Sequence, residues 1–520
     1  PLMESTDNSR ASAINILYSL GKSVLLHRAS KMIQYGFLEV HDKENSLYVK
    51  VSDEAKDHFL DNIEFFQLEE LENKLTDESV SFVNGWHLFD RVDYPNIEKA
   101  LGNFISRPLK DPFKDLKTED VNKLMAPLIH PWDTGHGIMM GYGALPEIDD
   151  HFMAEAAELV AEWRSEAGLH PDAKFDGISG ADITSIITYI TFLHLKHIRF
   201  SLVALETQPQ ISIPQSLTIW EPLEKLEDSI VDFLEMDRTV AKKALHAITI
   251  SPNEASYLHG VTKNFLPLLI SLGNGLVLRP VASLIKNPFA STIALQIWRN
   301  PKSINQLSLH REEWMRSEIY SIFQGTRYQR VHGNVKLRSN NKIVTDIDAA
   351  IFDVVTGELA LFQIKWQDYF TNDIRELRSK ASNLTNELDE WAEQVASWIQ
   401  RHGHKELIKT LRLRLGESMV ISSVYLFGVS KSYARMQGFG YTTKNQNLAI
   451  ANLPQFHRIR YEVGPANQVF HNMFLAFRQE MTMSARLSKP LPVTITVSKK
   501  TVCFEDFWNA YGDEEDEASE

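Results

Sequence analysis

Cysteine is almost missing from this chain. Cys503 is the one thiol in 520 residues. A lone cysteine excludes an internal disulfide framework and any zinc site built from cysteines, and it fits a reducing, cytoplasmic setting, which is the expected location. Long apolar runs are missing too: none approaches the roughly 20 consecutive apolar residues of a membrane helix. No basic, then apolar, then small-residue pattern opens the sequence, so no secretory signal is expected. There is no repeat of fixed period. Gly135, Gly137, Gly141 and Gly143 cluster, but no Gly-Lys-Ser/Thr follows, which excludes a Walker-type phosphate loop.

Basic residues are in deficit overall, with 54 Lys+Arg against 68 Asp+Glu and a net charge of −14. That balance argues against a nucleic-acid partner for the whole surface. It is unevenly spread. Residues 301–470 hold 22 Lys+Arg against 17 Asp+Glu, a balance of +5, which leaves −19 for the rest. Part of the excess acid sits in Asp513-Glu514-Glu515-Asp516-Glu517, which reads as a solvated tail.

Four segments follow from the patterning. Residues 1–75 form a small α+β module: apolar residues recur at helical spacing over 11–20 and 24–35, Gly36 stops the second helix, 37–40 and 47–51 read as a hairpin, and Ser52 caps a third helix. Helix, helix, hairpin, helix resembles a winged-helix domain, although its acidity favours protein contact or dimerisation over phosphate contact. Residues 76–300 read as mainly helical, with the clearest helices over 182–205 and 222–247 and a tight turn at Asn274-Gly275. Residues 301–505 carry the chemistry, and 506–520 form the acidic tail.

The chemistry-bearing segment opens with a helix over 311–324, where Glu318 shares a face with Trp314 and Ile322. A carboxylate turned toward a core is costly unless paired or metal-bound. A strand over 330–337 and a polar turn come next. Ile343 to Phe352 is then one apolar strand interrupted by Asp346 and Asp348, which a period of two puts on one face. After a turn at 353–357, Glu358 to Trp366 is apolar until Gln363 and Lys365, again on one face. A hairpin of these two strands sets a carboxylate, an amide and an ammonium at one sheet edge. An exposed edge strand is the plainer account of the two aspartates. Oxygen ligands of this kind suit Mg²⁺ or Mn²⁺.

This order of elements resembles the PD-(D/E)XK superfamily, the fold of restriction endonucleases. An acid-bearing helix precedes a three-stranded meander, and Glu318, Asp348 and Gln363-Ile364-Lys365 fall at the positions of the acid, the aspartate and the (Glu/Asp/Gln)-x-Lys motif. Gln363 in place of the second acid is similar to the Mrr-type variant. The resemblance covers about 311–430. It implies an α/β domain with a mixed central sheet flanked by helices. It also implies catalysis by Glu318, Asp348, Gln363 and Lys365, with a divalent metal on Asp348, Gln363 and Glu318 and a contribution from the Ile364 carbonyl. The expected activity is Mg²⁺-dependent hydrolysis of DNA, with RNA left open. The expected assembly is a homodimer or larger complex, and the setting bacterial antiviral defence with a second defence protein as partner. Asp346 is an accessory candidate. Gln394, in Gln394-x-x-x-Trp398 on the helix over 382–401, is similar to a Gln-x-x-x-Tyr element of some members, or is simply part of an amphipathic helix. Residues 419–429 supply a parallel core strand, and Lys431 and Arg435 beyond it are candidate phosphate contacts.

Two other readings compete. A zinc hydrolase on His130, Asp133, His136 and His151 would use suitable ligands, but their spacing matches no zinc motif. A catalytically silent scaffold or sensor that keeps the nuclease fold, binding nucleic acid or a protein, fits the large acidic helical part.

Overall fold

A computed structural model describes residues 7–43, 46–52, 80–83, 86–89, 111–133, 138–211, 213, 218–254, 266–285, 287–366, 374–416, 419–431, 443–481, 493–497 and 500–505. The chain divides into two compact units, one of residues 1–75 and 319–520, the other of 76–318. The N-terminal module therefore belongs with the chemistry-bearing segment rather than standing alone. The division falls within the helix Ile304–Ser321, not in a loop near 300. The protein is mixed α/β throughout, and no described helix is long and apolar enough to cross a membrane.

The unit of residues 76–318 is built around the antiparallel helices Pro146–Ala167 and Gly180–Thr207. The second starts on a capping box in which Ser179 and Asp182 satisfy each other's backbone N–H groups. The expected helix over 222–247 is two helices, Leu223–Leu234 and Arg238–Ile248, because Glu235 turns the chain at φ 51° and Asp237 caps the second. This unit also holds a four-stranded sheet that helical patterning did not suggest. Two of its strands are joined by the tight turn expected at Asn274-Gly275, with φ of 46° and 76°.

In the other unit the N-terminus forms one helix, α1 (Asp7–Gln34), where two were expected. Gly21 between them lowers helix propensity by about 1 kcal/mol, too little to break a helix of this length. Strands β1 (Leu38–Lys43) and β2 (Ser46–Val51) make the expected hairpin. The third helix of the winged-helix reading lies outside the described residues. Strand β2 also pairs, in parallel, with a strand from the far end of the chain: Ser46 faces Thr501 and Val49 faces Phe504.

The central sheet of this unit has five strands. The first members in the chain are β3 (Tyr328–Arg330), then the two strands of a separate hairpin, β4 (Val335–Ser339) and β5 (Lys342–Ile347), then β6 (Ala349–Asp353) and β7 (Glu358–Lys365). Helix α2 (Ile374–Leu411), which is kinked at Gly403 (φ 74°), leads to β8 (Ser423–Ser430) and β9 (Leu448–Asn452), and α3 (Leu453–Val463) and α4 (Val469–Glu480) complete the layer order. The sheet runs β3-β6-β7-β8-β9, antiparallel across its first three strands and parallel across its last three.

Period-two alternation decides what each face of β7 touches. Leu359 and Leu361 enter an apolar core with Leu384, Leu388, Trp391 and Val395 of α2. Phe362 turns the other way, into an aromatic cluster with Phe427 and with Phe456 of α3. Buried on both faces, the strand needs the nearly continuous apolar run that the sequence shows. Gly428 lets α2 approach β8: a Cβ there would lie 2.7 Å from Leu388 Cδ1.

Candidate active site

By the same alternation, Gln363 and Lys365 follow Leu359 and Leu361 onto the α2 side of the sheet. The register pairs Ala349 with Phe362, so the next position back sets Asp348 against Gln363. Asp348 is 3% exposed. Residues 343–352 are not one strand but two, β5 and β6, with Asp348 as the bend between them. There β5 leaves the central sheet to pair with β4. The Asp348 backbone N–H still donates to Phe362 O at 3.0 Å, but beyond it the ladder is completed by side chain. Asp348 Oδ2 accepts from the Ile364 backbone N–H at 2.7 Å and from Gln363 Nε2 at 2.5 Å.

Asn334, just ahead of β4, ties the hairpin to this point. Its Nδ2 donates to Asp346 Oδ2 at 3.1 Å and to Asp348 Oδ1 at 3.3 Å. The two aspartates thus reach one amide although the bend interrupts the alternation that was expected to align them. Trp391 of α2 donates from Nε1 to the Asp346 carbonyl at 2.7 Å. This anchors β5 on the helix.

Lys365 is half-buried, and its Nζ lies 2.8 Å from Glu387 Oε2 on α2. Its carbonyl accepts from the Lys431 N–H at 3.0 Å. Lys431 is itself 8% exposed, with its ammonium 5.9 Å from the centroid of the Trp366 ring, so it belongs to the immediate surroundings of Lys365. Arg435 lies outside the described residues.

Gln363 departs from expectation in orientation. Its nitrogen, not its oxygen, faces Asp348. Two oxygens at that separation would repel, so ligation of a cation through the Gln363 oxygen requires the amide to turn over. The donor set nevertheless fits Mg²⁺ or Mn²⁺: two carboxylates and an amide, all hard oxygen donors, gathered at the splayed end of a buried sheet.

The remaining candidates are placed as follows. Glu318 is 4% exposed and is the last residue of the other unit, on the helix Ile304–Ser321. Gln394 donates to Glu390 at 2.9 Å one turn back on α2 and lines a groove with Ser339, Val344 and Trp398. Of the zinc candidates, His151 is bonded to Asp111 at 2.8 Å, His130 is exposed on a strand, and His136 lies outside the described residues. Among the described residues no group of three or more His, Cys, Asp or Glu side chains is spaced to hold a metal.

Asn334 and Glu387 were missed by sequence reasoning. Asn334 sits in a Gly-Asn turn and looks like any loop residue. Glu387 carries a detectable signal: it stands one residue before Leu388 on an amphipathic helix, at the margin of its apolar face.

No protein-family model, no curated protein and no solved structure matches the chain.

Proposed function

We propose that the protein is a metal-dependent nuclease that hydrolyses phosphodiester bonds of DNA at Asp348, Gln363 and Lys365, on a restriction endonuclease-like sheet. The observation that carries this reading is the break at Asp348: a nearly buried carboxylate where two strands part, with Gln363 opposite it and Lys365 two residues on. The strand order of β3, β6, β7 and β8, with α2 crossing over to a parallel strand, supports it. A charged side chain is more than the ladder needs at this point, because removing a carboxylate from water costs several kcal/mol and a neutral side-chain oxygen could accept from the Ile364 N–H instead.

Asp348 and Asp346 would hold the divalent ion, with the Gln363 oxygen as a neutral third donor. A bound Mg²⁺ supplies a water of lowered pKa and polarises the phosphoryl group. Asn334 positions both carboxylates through one amide. Lys365 offers an ammonium to the attacking water and to the phosphoryl oxygens as charge builds on them, and such a preorganised group lowers the barrier by about 3 kcal/mol. Glu387 must release Lys365, or share it, for that to happen. Trp391 and Leu388 keep bulk water from the α2 side.

A second reading, a silent scaffold, draws on one observation: Gln363 with Asp348 and Lys365 with Glu387 satisfy one another without any ligand. Cleavage of plasmid and single-stranded DNA with Mg²⁺ or Mn²⁺ separates the two. The wild type is expected to cut, and Asp348→Ala and Lys365→Ala to lose at least ~10²-fold in rate. Cutting that survives both substitutions moves the active centre elsewhere. No cutting by any form leaves the scaffold.

A further inference from the structure

The β4–β5 hairpin is inserted between β3 and β6 and has two unlike faces. Leu337 and Ile347 point into the core shared with α2, and Trp398 Nε1 bonds to the Arg338 carbonyl at 2.9 Å, fixing the ribbon to the helix. The other face is exposed and carries Lys336 and Arg338, with Lys342 just past the two-residue turn Asn340-Asn341. Among the described residues no carboxylate stands within ion-pairing distance of these three cations. Among the described residues the Arg338 guanidinium reaches only the Asn341 carbonyl, at 3.4 Å, which occupies one of its five N–H donors.

Register links this face to the candidate site. Lys336 is paired with Asp346 across the ribbon, so their side chains are neighbours on the same face. Asp346 shares the Asn334 amide with Asp348. Two residues of strand advance about 7 Å. Arg338 and Lys336 therefore form a short cationic track that ends at the acid pair. The groove on the α2 side of the ribbon, by contrast, sets Glu390 and Glu393 against a single Arg401 and so is the less favourable path for a phosphate chain.

We propose that the outer face of the β4–β5 hairpin is the platform for the DNA strand cut at Asp348, with Lys336 and Arg338 each holding a phosphate. This rests on the nuclease reading above. A rigid two-stranded ribbon anchored by two tryptophans sets the distance between these phosphate contacts and the acid pair. Phosphate contacts fix register without selecting bases, so the platform predicts cutting with little sequence preference.

The test is binding of a short labelled DNA duplex by the full chain in EDTA, followed by fluorescence anisotropy over a salt series. Lys336→Ala/Arg338→Ala is expected to weaken binding ~10-fold near 0.1 M salt and to make the log–log salt slope shallower by about 2, one for each phosphate no longer neutralised. Lys405→Ala/Lys409→Ala removes the same charge from the far end of α2 and is expected to bind as the wild type does. All four side chains are exposed, and thermal melts confirm that each variant folds. Equal effects of the two pairs, no effect of the first, absence of duplex binding by the wild type, or preference for an RNA duplex overturns the platform. If the wild type cuts DNA and Asp348→Ala does not, yet Lys336→Ala/Arg338→Ala binds normally, the platform falls and the nuclease reading stands. If binding behaves as expected and no form cuts, the catalytic reading falls and the face remains a DNA-binding surface.

Discussion

Strand β6 is flanked by an aspartate at each end of its run, and the two ends have opposite designs. Asp353 closes the strand, is fully buried, and meets a cation: Arg327 donates to it from Nε at 3.1 and 3.0 Å and from Nη2 at 2.7 Å, and the Val355 N–H adds a bond at 2.9 Å. Arg327 also reaches the Ala466 carbonyl at 2.9 Å, so the pair binds the sheet to the turn before α4. Asp348 opens the strand, is as nearly buried, and is met by the amides of Gln363, Ile364 and Asn334. A carboxylate matched by a guanidinium is electrostatically complete. One buried carboxylate is thus held by a guanidinium and the other by three amides.

Exchanging the two carboxylates for amides, one at a time, gives the largest expected contrast. Asp348→Asn should cut DNA at least ~10³-fold more slowly than the wild type while its urea midpoint falls less than that of Asp353→Asn, because the new amide oxygen can still accept from the Ile364 N–H and the Gln363 and Asn334 amides can turn to present their oxygens. Asp353→Asn should do the reverse. It leaves Arg327 facing a neutral amide and costs about 2–3 kcal/mol, below the range for fully buried pairs because Arg327 is 22% exposed, with cleavage per folded molecule retained. Chemical denaturation and a cleavage assay on both variants decide it. An Asp348→Asn protein that loses as much stability as Asp353→Asn would make Asp348 a fold residue.

Gln363→Glu sharpens the contrast by adding charge at the open end only. Two carboxylates in place of the 2.5 Å amide contact repel, so without metal the variant should be less stable by about 1–2 kcal/mol. Mn²⁺ should restore that loss and bind about tenfold more tightly than to the wild type. Melting temperature against Mn²⁺ concentration measures both. A variant whose stability ignores Mn²⁺ would place no cation at this end of β6.

The Asp348 end of β6 is also the more legible one in the sequence. Apolar alternation identified β7 and placed Gln363 and Lys365 on one face, and the run from 343 to 352 marked a partner strand. Its break at Asp348 was not readable, because nothing local states that β5 will leave the sheet for β4; that depends on Val335 meeting Ile347 twelve residues away. Long-range partners were invisible for the same reason. Ser46 beside Thr501 joins chain ends that no periodicity connects, and although Asn274-Gly275 announces the hairpin of Leu269–Gly273 with Leu276–Pro280, nothing local announces its pairing with Thr218–Pro222. Lys365 was found as a residue but not as half of a pair with Glu387, since its partner is set by the phase of α2 against the sheet.

The smallest expected effect is a pH dependence at the closed end. Burial alone would raise the Asp353 carboxyl, but hydrogen bonds from Arg327 and the Val355 amide more than offset it and hold the group below the usual carboxylate range. A depressed folded pKa contributes stability above the unfolded value of about 4, and that contribution disappears as pH falls through the folded value. Asp353→Asn should therefore be less stable than the wild type at neutral pH and converge on it below about pH 4. Glu358, across the turn at the start of β7, is shifted the other way, raised by burial despite bonds from the Phe470 and His471 amides. Its protonated form is the favoured one in the fold, so its contribution is present at low pH and is lost as pH rises above about 4.3. Glu358→Gln should thus gain relative stability as pH rises above about 4.3, whereas Asp353→Asn falls behind the wild type over the window below about pH 4 in which Asp353 ionises. Unfolding free energies of the three proteins between about pH 3 and 7 test the pairing, and parallel curves for both variants would mean that the acid limb comes from other carboxylates.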